Sequence, residues 1–322
     1  MTNEVTNDEQ LTSDEVRSLL YERKNWGRWG EHDQKGAINL ITPAKRLEAA
    51  SAVRTGETLS LSRPLNTNPA PNNARPAQHY TQYWYDGGEG PKGACCEGEP
   101  GGWAVDYYGV EYHGYATTHL DALCHVWDTE GMYNGRDPHE HVTTNGATFG
   151  GVEQWAGDLV TRGVILDIPG LRGVDYVTAD QPVHAWELEA AARAQGVEVR
   201  PGDALCVNMG REKWDSERPD HKYGSPSDAL PGMHASCLRY LRDKDISILG
   251  WDMLDAWPWK YDVAWSVHGA IWAYGIAVVD NMVLDQLAQA CRKRNSYEFM
   301  LVLAPLVVEG GTGSPINPLA IL

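Results

Sequence analysis

Pro201-Gly202-Asp203-Ala204-Leu205-Cys206-Val207-Asn208-Met209 is a turn followed by a short, nearly unbroken apolar run. Proline and glycine punctuate its start, and a run of this length reads as a strand over residues 204–209. Working outward, residues 159–168 form another apolar run that reads as a buried strand, and 185–195 reads as a helix with Gly196 as its C-cap. Downstream come a helix over 233–242 and a short strand over 246–250 that ends at Trp251-Asp252. Next are a helix over 267–274 closed by Gly275 and a strand over 276–279 running into Asp280-Asn281. A helix over 284–293 ends in basic residues, which suits its dipole, and an apolar strand spans 299–308. Strands alternating with helices predict an α/β or α+β arrangement in one domain.

The first half is less regular. Thr12-Ser13-Asp14-Glu15 has capping-box spacing and opens a short helix over 16–21. Residues 1–24 read as a polar arm ahead of a domain spanning 25–322. Thr42-Pro43 is an N-cap and first helical residue for a helix to about Val53, and 58–62 alternates as a strand does. Residues 64–104 are rich in Pro, Gly and Asn and carry no periodic pattern, as expected of a functional loop, lid or subunit arm. The glycines of 310–315 read as a tight loop. They do not lie between a strand and a helix, so they are no dinucleotide fingerprint, and no phosphate-binding G-x-x-x-x-G-K-[ST] loop is present.

With 322 residues, 42% of them hydrophobic, the chain has material for a sizeable core. Its formal charge of −17 repels phosphate backbones and anionic headgroups, so neither nucleic acid nor membrane is an expected partner. No run of about 18 apolar residues exists, and residues 1–15 lack the basic-then-apolar order of a secretory signal. Six cysteines without C-x-x-C spacing read as reduced thiols of a cytoplasmic protein, the neighbours Cys95 and Cys96 included. The 13 Trp and 15 Tyr against 2 Phe favour places where apolar surface meets water, such as a wet pocket or a subunit contact.

The chemistry concentrates in His113-Gly114-Tyr115-Ala116-Thr117-Thr118-His119-Leu120-Asp121-Ala122-Leu123-Cys124-His125. Imidazole and carboxylate together suit a divalent metal such as zinc or manganese. On a strand His119 and Asp121 face the same side about 6.6 Å apart, within reach of one ion. His125 shares their parity but would lie roughly 13 Å on unless a turn after Asp121 folds it back. His113 would stand about 20 Å from His119 in an extended chain. It joins them only if Gly114 and the small residues 116–118 bend. His139 and His141 read as solvated loop residues. Cys124, of opposite parity to the ligands, points away from them and is a weak candidate nucleophile.

The run from Thr118 to His125 resembles the signature H-x-G-T-H-x-D-x-P-x-H of the cyclase family of metal-dependent hydrolases, which includes bacterial kynurenine formamidase and isatin hydrolase. The resemblance extends from about Asn25 to the C-terminus through 25–30, Met132-Tyr133-Asn134-Gly135, His268, Val279-Asp280-Asn281 and 311–318. It implies a mixed α/β, swivelling β/β/α fold with a central sheet or barrel and flanking helices. It also implies a homodimer or homotetramer, and hydrolysis of an amide, lactam or ester with one or two divalent ions, zinc or manganese. By position His119 and Asp121 would be metal ligands and His125 the catalytic base. His268 and Asp280 would form a second ligand pair, with Asp121 bridging. Three departures from the pattern matter. Tyr115 stands where the first motif His belongs, so either His113 takes over or the primary metal is weakly held or absent. Leu123 replaces the motif's Pro, and Asp280 is shorter than the Glu of the formamidase pattern.

The expected mechanism has an ion polarising a substrate carbonyl and acidifying water. His125 would shuttle the proton, and Thr118 or a backbone N–H would stabilise the oxyanion. Aromatic residues of 80–108 would cover a small, cyclic or aromatic substrate. The alternatives are a metal-independent cyclase or dehydratase using His125 with Asp280 or Tyr115, and a non-catalytic binding protein.

Overall fold

A computed structural model describes residues 11–85, 102–225 and 228–322; Cys95 and Cys96 lie outside them. The strands are β1 (Thr58–Ser60), β2 (Gln78–Tyr85), β3 (Gly102–Gly109), β4 (His119–Asp121), β5 (Val142–Thr143), β6 (Gly146–Ala147) and β7 (Val160–Asp167). Then follow β8 (Ala204–Asn208), β9 (Ile248–Trp251), β10 (Ala277–Asp280), β11 (Glu298–Val302), β12 (Gly313–Pro315) and β13 (Leu319–Ile321). The helices are α1 (Ser13–Tyr21), α2 (Pro43–Ala52), α3 (Pro138–His141), α4 (Ile168–Arg172), α5 (Ala185–Gln195), α6 (Arg211–Glu217), α7 (Cys237–Asp243), α8 (Ala270–Tyr274) and α9 (Asp285–Arg294).

Nine strands form one mixed sheet in the order β1-β13-β11-β7-β8-β9-β10-β4-β12. Its middle, β7-β8-β9-β10, is parallel. These strands are buried along nearly their whole length, which is why they read as continuous apolar runs: crossover helices cover parallel strands on both faces. β11 instead alternates between buried and half-buried. The architecture is the expected mixed α/β fold, a central sheet with flanking helices.

Local chemistry sets the element ends. The capping box of Thr12 and Glu15 closes on itself at the start of α1, Pro43 opens α2, and Gly196 ends α5 in the left-handed conformation, φ 62°. Three expectations need correction. α7 starts four residues later than predicted, because Met233 is held extended by bridges to Val183 and Asp255. β11 stops at Val302, short of 308: Pro305 has no N–H to give a ladder, and Leu306, Val307 and Val308 are exposed. Residues 313–315, read as loop, are strand β12, paired with β4.

Part of the stretch read as unpatterned loop, 78–85 and 102–104, belongs to the antiparallel pair β2–β3. Its cross-strand pairs sort the two faces. Tyr80 lies opposite Tyr107, stacked at 4.9 Å, and Gln82 opposite Val105. On the other face His79 and Thr81 hydrogen bond to Asp106. Tyr80, Val105 and Tyr107 are exposed. α1 is built into the core through Val16, Leu19 and Leu20, and Tyr274 of α8 donates to its Leu19 carbonyl. No helix among the described residues is long and apolar enough to cross a membrane.

Candidate metal centre

β4 is short and lies between β10 and β12, with His119 opposite both Asp280 and Pro315. Opposed residues share a sheet face, and residues two apart on a strand do too. Register therefore places His119, Asp121 and Asp280 on one face. Asp280 became a neighbour of His119 only through strand pairing, which local spacing cannot reveal.

His113 arrives from outside the sheet. Gly114, at φ +150°, starts the bend that turns the chain back. Asn281, itself left-handed at φ 58°, donates from Nδ2 to the carbonyls of Gly114 and Thr117 at 2.7 and 3.0 Å. The buried Arg211 donates to Asn281 Oδ1 and to the Tyr115 carbonyl. The bend foreseen at residues 114–118 thus exists, and residues far away in sequence brace it. His113 ends 5.1 Å, ring to ring, from His119.

After Asp121 the chain turns, with the His125 N–H bonded to the Ala122 carbonyl. This folds His125 back until its ring stacks on His113 at 3.7 Å. His268 sits in a 3-10 turn, Val267–Gly269, that leads into α8.

Asp121 is the hub. It is fully buried, and neither carboxylate oxygen has a hydrogen-bond partner. Ring nitrogens surround it: His113 Nδ1 at 2.9 Å, His119 Nε2 at 3.4 Å, His125 Nε2 at 3.8 Å and His268 Nε2 at 3.9 Å. The nearest contact is misaligned for a hydrogen bond, so His113 Nδ1 is also without one. Burial alone would raise the Asp121 carboxyl. The imidazoles of His125, His119 and His113 outweigh it and hold the group well below the usual carboxylate range.

Outer contacts fix the histidine tautomers. His119 Nδ1–H donates to the Thr117 carbonyl at 2.8 Å, so Nε2 turns to the carboxylates. His268 pairs through Nδ1 with Asp255, which also accepts the Val267 N–H at 2.5 Å, leaving Nε2 at 3.3 Å from Asp280. Burial opposes charge on His268, but Asp255 and Asp280 prevail and raise its pKa well above the ordinary value. Trp251 Nε1–H donates to the other Asp280 oxygen. Asp255 was not anticipated; it carries no motif, and only the fold brings it to His268.

Two sets of ligand atoms each lie within 4.8 Å of one another: His113, His119 and Asp121, and Asp121, His268 and Asp280. A buried carboxylate with no hydrogen bond needs a cation, and imidazole with carboxylate is a donor set for zinc or manganese. The residues present fit such an ion.

Thr118 does not take the expected place. Its hydroxyl donates to the Asn281 carbonyl at 2.7 Å and accepts the Arg63 N–H at 2.9 Å. Its one proton is spent on holding backbone, which removes it as an oxyanion donor. Cys124 is buried; burial pushes its thiol up to about 12, unsuited to a nucleophile. His139 is exposed and His141 half-exposed, both in α3.

A cavity of about 370 Å³ opens over the centre, within the range of small-molecule sites. Its aromatic wall is Trp257, Trp259 and Trp265 with Tyr115. Among the described side chains none of the aromatics of 80–108 lines it, contrary to the expectation that they cover the site.

The family model Cyclase, described as "Putative cyclase", matches residues 59–256. A kynurenine formamidase of Bacillus cereus is 28% identical over 90 residues, which cover 28% of this chain and 39% of that relative. A crystal structure described as a novel cyclase superposes with a TM-score of 0.81 at 29% identity, covering 93% of this chain and 99% of the other. Isatin hydrolase A from Ralstonia solanacearum shares the fold at a TM-score of 0.54 and 16% identity, over 87% and 97% of the two chains. With its nine-stranded sheet and a family match across more than half its length, the chain belongs to the cyclase family.

Proposed function

We propose that this chain is a hydrolase that cleaves the amide, lactam or ester bond of a small aromatic or cyclic substrate with the help of one or two divalent ions. The observation that carries the reading is Asp121, buried, without hydrogen bonds and ringed by four imidazoles. The amide-cleaving activity named for the Bacillus relative supports the reaction class.

His113, His119 and Asp121 would hold one ion, and His268 and Asp280 a second that shares Asp121. Such an ion, zinc or manganese, polarises a carbonyl and acidifies water when bound. His125 supplies the base. Burial, with its imidazole neighbours, lowers its pKa to about 4 against the pull of Asp121, so it is neutral near pH 7 and free to accept a proton. Nε2 faces Asp121, takes the proton from the attacking water and returns it to the leaving nitrogen or oxygen. His119 Nδ1–H and His268 Nδ1–H stay on their outer partners and keep both rings aimed inward. Tyr115 lines the cavity with a pKa raised by burial, so its hydroxyl stays protonated and can donate to the substrate. The motive for a metal-independent reaction weakens, because His113 stands with His119 and Asp121 in one possible ligand set.

The test is elemental analysis of the purified chain, with hydrolysis of formanilide, isatin and aromatic lactones followed through chelation and metal restoration. Stoichiometric zinc or manganese and activity that falls and returns are expected. Full turnover in verified metal-free protein would reject the reading. We also propose a cytoplasmic protein, consistent with the buried, unoxidised thiols of Cys124, Cys206 and Cys291. It would assemble as a homodimer or homotetramer in which the aromatic face of β2–β3 meets another copy. Sedimentation of the Tyr80→Ser, Tyr107→Ser variant at a mass equal to the parent would count against that contact.

A further inference from the structure

The cavity over the His–Asp centre has an uneven distribution of charge. Asp255, Asp280 and the four imidazoles of the centre line it, and among the described residues no lysine or arginine does. Lys222 and Lys260, neighbours in sequence of lining residues, are exposed and outside the lining. Arg211 lies behind Tyr115 and Tyr223, beside an adjoining space of about 10 Å³, barely enough for one water. Its guanidinium is already committed to the carbonyls of Asp252 and Tyr115, to Asn281 Oδ1 and to Asp215. The wall opposite the centre is apolar and aromatic: Trp257, Trp259, Trp265, Leu230 and Leu254.

We infer that the part of the substrate lying against the tryptophans is an uncharged aromatic body with no carboxylate. A carboxylate there would lose its hydration without meeting a cationic partner. It would also lie inside a chain of net charge −17. An uncharged ring loses little on leaving water and gains contact with the indoles. The inference deepens the hydrolase reading, resting on it only for the place of the scissile carbonyl over the histidines.

The test uses two probes of equal size that differ in charge, 4-formamidobenzamide and 4-formamidobenzoate, on the metal-reconstituted full chain. The neutral amide is expected to have a kcat/KM roughly a hundredfold higher, the scale of an unpaired or opposed charge in a site. Leu254→Arg, which places a cation on the wall, is expected to narrow that ratio about tenfold. The wild-type ratio stands alone if the variant does not fold. Comparable kcat/KM values for the two probes in the wild type would overturn the inference. If neither probe is hydrolysed, the hydrolase reading fails, and the same pair then act as ligands followed by tryptophan fluorescence. Quenching at lower concentrations of the benzamide upholds the charge selection, whereas equal quenching overturns it.

Discussion

Asp121 and His125 have different work in the proposed mechanism, and their surroundings differ to match. Both are deeply set, yet one is held ionised by imidazoles while the other is held neutral by burial. A base kept neutral is ready at pH 7, so removing it should cost chemistry and not metal. His125→Ala is expected to lower kcat by about 10²- to 10⁴-fold with metal content unchanged. Cys124→Ser, altering a buried thiol that donates to the Gly311 carbonyl, should stay within about twofold of the parent. Steady-state kinetics beside metal analysis check both, and a His125→Ala enzyme of parental kcat would strip this residue of its role. The pair His119–Asp121 was visible in the sequence because strand parity is local. His113 was only conditionally visible, since its bend depends on Asn281 and Arg211, far along the chain. Thr118 was misjudged because its hydroxyl partners, Asn281 and Arg63, are equally remote.

The segment 257–265 brings three tryptophans to the cavity without regular structure of its own, so its shape depends on anchors. Trp257 exchanges both backbone hydrogen bonds with Leu230. Asp262 takes a bond from Arg17 and gives one to Ser13, both on α1. At the centre of the segment Tyr261 meets His234 Nε2 at 2.5 Å. His234 Nδ1 already accepts the Ser236 N–H at 3.1 Å, so Nε2 carries the proton and donates it to the tyrosine oxygen. Tyr261→Phe strips that donor of its acceptor and loosens the wall while leaving the reaction centre intact. KM should rise by roughly 3- to 10-fold with kcat nearly constant, as when binding shared by ground and transition states is lost. A fall in kcat at unchanged KM would contradict the anchoring role. This segment was not legible in the sequence: tryptophan, proline and aspartate in irregular order give no period. The hairpin β2–β3 escaped for a related reason, since its alternating strands sit beside the Pro-, Gly- and Asn-rich residues that dominated the reading of 64–104.

At the scale of the whole molecule the alternation of runs and helices identified the parallel middle of the sheet, because strands buried on both faces announce themselves as apolar runs. The antiparallel members β12 and β13 have three residues each and are defined by their neighbours, so no local signal exposes them. The same closeness of packing makes the fold sensitive to acid. His234 lies beside His184, ring centroids 4.2 Å apart, and burial together with that neighbour lowers its pKa from 6.5 to about 4. In the folded chain it therefore holds fewer protons than in the unfolded chain between those values. Stability falls wherever the unfolded state binds more protons as pH drops. The stabilising contribution is complete above about pH 6.5, declines through the window and is lost near pH 4. With His234 partly open to solvent, the loss is on the order of 1–2 kcal/mol, or roughly 2–6 °C in melting temperature. His234→Asn keeps an acceptor for the Ser236 N–H and removes the titration. It should melt below the parent at pH 7.5, yet lose less on moving to pH 5. Melting curves of both proteins across that range decide the matter: parallel pH slopes would mean that His234 does not couple proton uptake to unfolding, and that the acid sensitivity arises elsewhere.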